Sequence, residues 1–171
     1  MLRNWLATLL YPVRLVIARL MRLAFLALYY PLAPFYDQIS HTAFVGQWSK
    51  WQKAVLPRIV GKRVLELGCG TGNLTAMIAR AYPKSELVAV DFSGEALAEC
   101  RRKLAHSSVS FLQEDFARLS FAKGEFDLVI SSIAIHHLAD GDKSRLFQGV
   151  FQWLGNGGIF TFADQFRGET D

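Results

Sequence analysis

Cysteine is scarce in this chain of 171 residues: Cys69 and Cys100 are its only two. Such a pair makes neither a disulfide framework nor a metal cluster, so a reducing cytoplasm suits the protein and no metal site is expected. Internal repeats and low-complexity tracts are absent, and the length fits one domain. Acidic residues are missing from residues 1–36, which hold Arg3, Arg14, Arg19 and Arg22. The formal net charge of +4 therefore belongs to that segment, because the remaining basic residues balance the 15 acidic ones. A nucleic-acid enzyme spreads positive charge over its substrate face. This domain does not, and nucleic acid is not an expected partner.

The basic segment also lacks an uninterrupted apolar run. Its longest uncharged stretch, Leu23 to Tyr36, is broken by Pro31 and Pro34 and falls short of the roughly 20 apolar residues a membrane span needs. From Val13 to Tyr30 the residues read as a helix. At about 100° per residue, Arg14, Arg19 and Arg22 share one arc of roughly 140°, and the rest of the circumference is aliphatic and aromatic. Residues 1–34 are expected to lie in a membrane interface, arginines toward anionic headgroups, with the protein peripheral on the inner face of the membrane. A tilted span from Leu15 to Tyr36 and a helix packed on its own domain or a second subunit are the alternatives. No small-residue cleavage site follows, which argues against a signal peptide.

The chain lacks a G-x-G-x-x-G dinucleotide fingerprint. Counted from Gly68 its last position is Asn73, and from Gly70 it is Thr75. What stands there instead is an apolar strand, Val64-Leu65-Glu66-Leu67, running into Gly68-Cys69-Gly70-Thr71-Gly72 and then a helical stretch from Leu74 to Tyr82. Such a turn admits positive φ and close ligand approach, and the helix behind it offers unpaired N–H groups to an anion.

Apolar strands are expected at 63–67, 86–90, 109–112, 126–133 and 159–162, alternating with helices at 73–82, 94–105 and near 142–154. Ser93 is a fitting N-cap for the 94–105 helix, with Glu95 in its first turn and Arg101, Arg102 and Lys103 in its last. Strands apolar throughout and alternating with helices imply a doubly wound α/β domain over 35–171, with a mostly parallel Rossmann-like sheet. Right-handed crossovers bring Glu66, Gly68–Gly72, Asp91, Asp115 and the 131–137 segment to one edge of that sheet.

Glu66-x-Gly68-x-Gly70-x-Gly72 resembles motif I of the class I S-adenosylmethionine-dependent methyltransferases. Phe126-Asp127 through His136-His137-Leu138 is similar to that family's fourth-strand segment. Leu154-Gly155-Asn156-Gly157-Gly158 is similar to its turn before the fifth strand, with asparagine where proline is usual. The resemblance covers residues 62–164. It implies S-adenosylmethionine as cofactor, with Glu66, Gly68, Cys69, Gly70 and Gly72 about the methionine end and Asp91 on the ribose. Asp115 with Phe116 would serve the adenine, and Phe92 and Ser131 are further cofactor-binding candidates. His136 and His137 are candidate general bases and equally fit a packing role. Tyr36 and Trp48 are candidates to close over the site.

The implied function is methyl transfer to a small-molecule or lipid-like acceptor at a membrane surface. A soluble methyltransferase whose first helix is a lid or dimer element is one alternative; a catalytically incomplete S-adenosylmethionine-binding module is another. The family's sheet continues with an antiparallel hairpin after the fifth strand; the expectation here is either a fragment of a longer protein or a homo-oligomer that covers that edge.

Overall fold

The computed structural model describes Leu20, residues 56–58 and residues 61–164. The expectations for the arginine-bearing helix, Tyr36 and Trp48 lie outside the described residues. Five strands form one sheet: β1 (Arg63–Leu67), β2 (Glu86–Asp91), β3 (Val109–Gln113), β4 (Phe126–Ser132) and β5 (Leu154–Ala163). Their order is β3-β2-β1-β4-β5, and every adjacent pair is parallel. Helices α1 (Asn73–Ala81), α2 (Gly94–Lys103) and α3 (Asp140–Trp153) connect them. The chain winds outward twice from β1, so the switch in direction falls between β1 and β4, where open α/β sheets bind ligands.

The two faces of the sheet are written in the alternation of its strands. Leu65, Leu67, Val90 and Val129 pack with Phe126, Leu146, Val150 and Trp153 under α3. Val64, Leu87, Leu128 and Ile130 pack on the other face with Leu74 and Ile78 of α1. Beneath α2, Ala89 meets Leu97, Cys100, Leu104 and Cys69. Glu66 shares the α1 side with Val64, which puts a carboxyl where the pattern calls for an aliphatic side chain.

Ser93 does cap α2, its hydroxyl accepting the Ala96 N–H at 3.2 Å. The strand expected at 159–162 begins earlier, at Leu154, directly after α3. Its pairing with β4 runs Phe126↔Leu154 and then Leu128↔Ile159, so residues 155–158 bulge outward between the two registers. The expected turn is therefore present as an excursion within β5.

Candidate functional site

Four pieces of chain meet at the carboxyl edge of β1 and its neighbours. The first is the glycine turn. Gly68 and Cys69 both donate their N–H to the Val90 carbonyl, at 2.9 and 3.0 Å, which pins the turn to the end of β2. Gly68 has φ +71°, and a Cβ there would stand 2.3 Å from the Cβ of Ala134. Gly70 has φ +55° with nothing within 4 Å of a built Cβ, so the middle of the turn opens to space a ligand can enter. Helix α1 then starts with no side-chain cap, its first N–H groups facing the turn.

Asp91 is the second piece. Its Oδ2 accepts the Gly70 N–H at 2.7 Å and its Oδ1 accepts the Ser93 N–H at 2.9 Å. Burial pushes its pKa up, against the pull of those two bonds. One carboxylate thus ties β2 to the glycine turn, and each oxygen keeps a second lone pair for a hydroxyl donor. Phe92, next in sequence, is half exposed beside it.

Glu66 is the third. It is 2% exposed, and its Oε2 has no hydrogen-bond partner. Desolvation pushes its pKa up to about 8, with Thr75 pulling the other way. A buried, unpartnered carboxyl oxygen is costly unless something satisfies it. The α-ammonium of an amino acid moiety, whose carboxylate would suit the start of α1, is a chemical match for it. These features fit the methionine end of S-adenosylmethionine.

The remaining expected residues divide. Asp115 is exposed and accepts the Ala117 N–H at 2.9 Å, whereas Phe116 is buried in the core near Gly68. Ser131 is fully buried and donates its hydroxyl to the Leu67 carbonyl at 3.0 Å, joining β4 to β1 immediately before the turn. Cys69 and Cys100 are buried and form no disulfide; hydrogen bonding to Cys100 together with burial pushes the Cys69 thiol up, which disfavours its thiolate.

The fourth piece is the loop after β4, which is held by a residue that sequence reasoning missed, Asp164, just after β5. Ile133 has φ +52°, a left-handed conformation that costs a β-branched residue about 1–2 kcal/mol. Beyond it, the N–H groups of Ala134, Ile135 and His136 converge on Oδ2 of Asp164, at 3.1, 2.6 and 3.2 Å. The other oxygen, Oδ1, lies 2.6 Å from Nδ1 of His136. The His136 and His137 rings stand 4.0 Å apart, and burial lowers the His137 pKa. Among the described residues no cluster of three or more His, Cys, Asp or Glu suits a metal ion.

Residues 64–158 match the profile of a methyltransferase-domain family. The chain is 34% identical over 101 residues to the malonyl-[acyl-carrier protein] O-methyltransferase of Bacillus cereus, covering 59% of this chain and 36% of that protein. It is 32% identical over 118 residues to the demethylmenaquinone methyltransferase of Thermus thermophilus, covering 66% and 54%. A solved S-adenosylmethionine-dependent methyltransferase of Mesorhizobium loti superposes with a TM-score of 0.58 at 31% identity, over 66% of this chain and 51% of that one. The chain thus spans about a third to a half of the length of these proteins.

Proposed function

The chain belongs to the class I S-adenosylmethionine-dependent methyltransferase family, and from that premise we propose that it methylates a small-molecule or lipid-like acceptor at a membrane surface. The observation that carries the donor half is the unpartnered Oε2 of Glu66 beneath a glycine turn that is open at Gly70. Glu66 and the turn would hold the methionine end, Asp91 the ribose, and Asp115 with Phe92 the adenine, over Phe116. The donor brings a sulfonium methyl that is already activated, so the protein's part is alignment and exclusion of water.

One relative is named for a malonyl-[acyl-carrier protein] acceptor and another for demethylmenaquinone, and the second supports a small acceptor with an apolar body. The membrane half rests on the one-sided arginines of residues 1–34. Among the described residues no helix is long and apolar enough to cross a membrane. We place a second copy of the chain at the outer edge of β5.

Two measurements test the reading. Calorimetric titration with S-adenosylhomocysteine should give saturable binding to wild type and at least tenfold weaker binding to Asp91→Ala; no binding by wild type sinks the donor site. In the full chain, changing Arg14, Arg19 and Arg22 together to Gln should weaken co-sedimentation with anionic vesicles at least tenfold, at about 1 kcal/mol per arginine near the surface. Unchanged vesicle binding removes the anchor and leaves the soluble alternative.

A further inference from the structure

Holding a cofactor at the glycine turn does not require the Asp164 cluster. Both oxygens of that carboxylate are committed: Oδ2 to the N–H groups of Ala134, Ile135 and His136, and Oδ1 to the imidazole of His136. Its side chain is fully buried, whereas that of His136 is 29% exposed. A carboxylate at Nδ1 fixes the neutral ring with its proton on Nδ1, so the basic lone pair sits on Nε2, away from Asp164. The ring is held from two sides, because the backbone that carries it is gripped by the same carboxylate. The contact between Gly68 and Ala134 sets this loop beside the glycine turn.

Resting on the methyl-transfer reading, we propose that Nε2 of His136 takes a proton from the acceptor. Asp164 is the positioning residue behind it, and the acceptor is a phenol or enol rather than a carboxylate. The acceptor's X–H electron pair forms the bond to the methyl carbon. The carbon–sulfur bond breaks with its pair remaining on sulfur, which neutralises the sulfonium, and the proton passes to Nε2. S-adenosylhomocysteine, the methylated acceptor and an imidazolium result, with charge conserved.

The acceptor class follows from acidity. A carboxylate has already lost its proton at neutral pH and would leave an oriented base idle. An unactivated alcohol is far too weak an acid to give its proton to a neutral imidazole, whereas a phenol near 10 lies within reach when proton and methyl move together.

The test begins without activity. In the ¹⁵N-labelled full chain with S-adenosylhomocysteine, the nitrogen shifts of His136 should report a neutral ring protonated at Nδ1. In Asp164→Asn the amide oxygen can keep the backbone donors while its NH₂ faces Nδ1, and the proton should move to Nε2. An Nε2–H tautomer in wild type overturns the assignment, even if the variant fails to fold.

With 1,4-dihydroxynaphthalene as acceptor, Asp164→Asn and His136→Gln should each lose at least a hundredfold in kcat, with KM changed less than threefold. The loss should shrink toward pH 10 as the phenol ionises by itself. Equal kcat in wild type and Asp164→Asn overturns the proposal, and so does methylation of a malonyl thioester in preference to the phenol. Failure of wild type to bind S-adenosylhomocysteine strikes the donor site instead, and the two failures are thereby told apart.

Discussion

Glu66 shows how much a single residue can cost the folded protein. In the unfolded chain its carboxyl ionises above the ordinary 4.5; in the folded chain it stays protonated up to about 8. Between those values the folded state holds a proton that the unfolded state has lost, so stability falls as pH rises from about 4.5 to 8. The full drop is on the order of 4–5 kcal/mol at 1.36 kcal/mol per unit. Glu66→Gln should flatten this slope, read as the urea midpoint between pH 5 and pH 8. A ligand ammonium beside Glu66 would favour the ionised carboxylate and release its proton. Binding of S-adenosylhomocysteine should therefore tighten as pH rises toward 8 in wild type but not in Glu66→Gln. An equal pH slope in both proteins would remove Glu66 from the donor site.

The contrast between Glu66 and Asp164 shows what a sequence can and cannot disclose at this scale. Glu66 lies within a short motif whose parts are neighbours in the chain, and the resemblance of that motif to motif I of the family singles it out. Asp164 works across a sequence separation of 28 residues, on a loop whose shape depends on Ile133 entering the left-handed region. An isolated acid after a strand carries no local signal. His136 was visible as a candidate, but its partner was not. Ser131 was legible in position, whereas its hydroxyl bond joining β4 to β1 was not.

At the scale of elements, the order of strands and helices followed directly from apolar runs alternating with amphipathic ones, and the main discrepancy has a physical origin. The strand expected at Ile159 starts at Leu154 because Phe126 pairs there before the register shifts, a backbone event that side-chain pattern does not encode. The glycine turn allows a sharper test. Gly70→Ala adds a methyl in open space at φ +55° and should cost about 1–2 kcal/mol of stability, while S-adenosylhomocysteine affinity falls at least tenfold. Gly68→Ala meets the Cβ of Ala134 at 2.3 Å as well, and should lose more stability than Gly70→Ala. Equal melting temperatures for the two would contradict the close approach of turn and loop. The start of β1 depends on Asp127, whose Oδ2 accepts the N–H groups of Lys62 and Arg63 at 2.7 and 2.9 Å. Asp127→Ala should cost about 1–2 kcal/mol, discounted for solvent exposure, without changing ligand affinity once folded.

At the scale of the whole molecule, one edge of the sheet, that of β5, is unpaired among the described residues. Edge strands are normally protected by charge, proline or short length. Strand β5 runs from Leu154 to Ala163 with no charged residue and no proline, and nothing pairs its outer edge among the described residues. Beside it Phe147, Phe160 and Phe162 form a ladder with centroids 5.0–6.1 Å apart, and Phe151 of α3 is 82% exposed. Two such edges can pair antiparallel about a twofold axis, which makes the surface self-complementary. Burying a phenylalanine contributes about 1.5–3 kcal/mol per copy, so Phe151→Glu should weaken self-association by two orders of magnitude or more while leaving the melting temperature of the monomer unchanged. Sedimentation velocity at tens of micromolar decides it. Wild type should run as a dimer and Phe151→Glu as a monomer; a monomeric wild type, or a dimer indifferent to the substitution, assigns the edge to something other than a second copy.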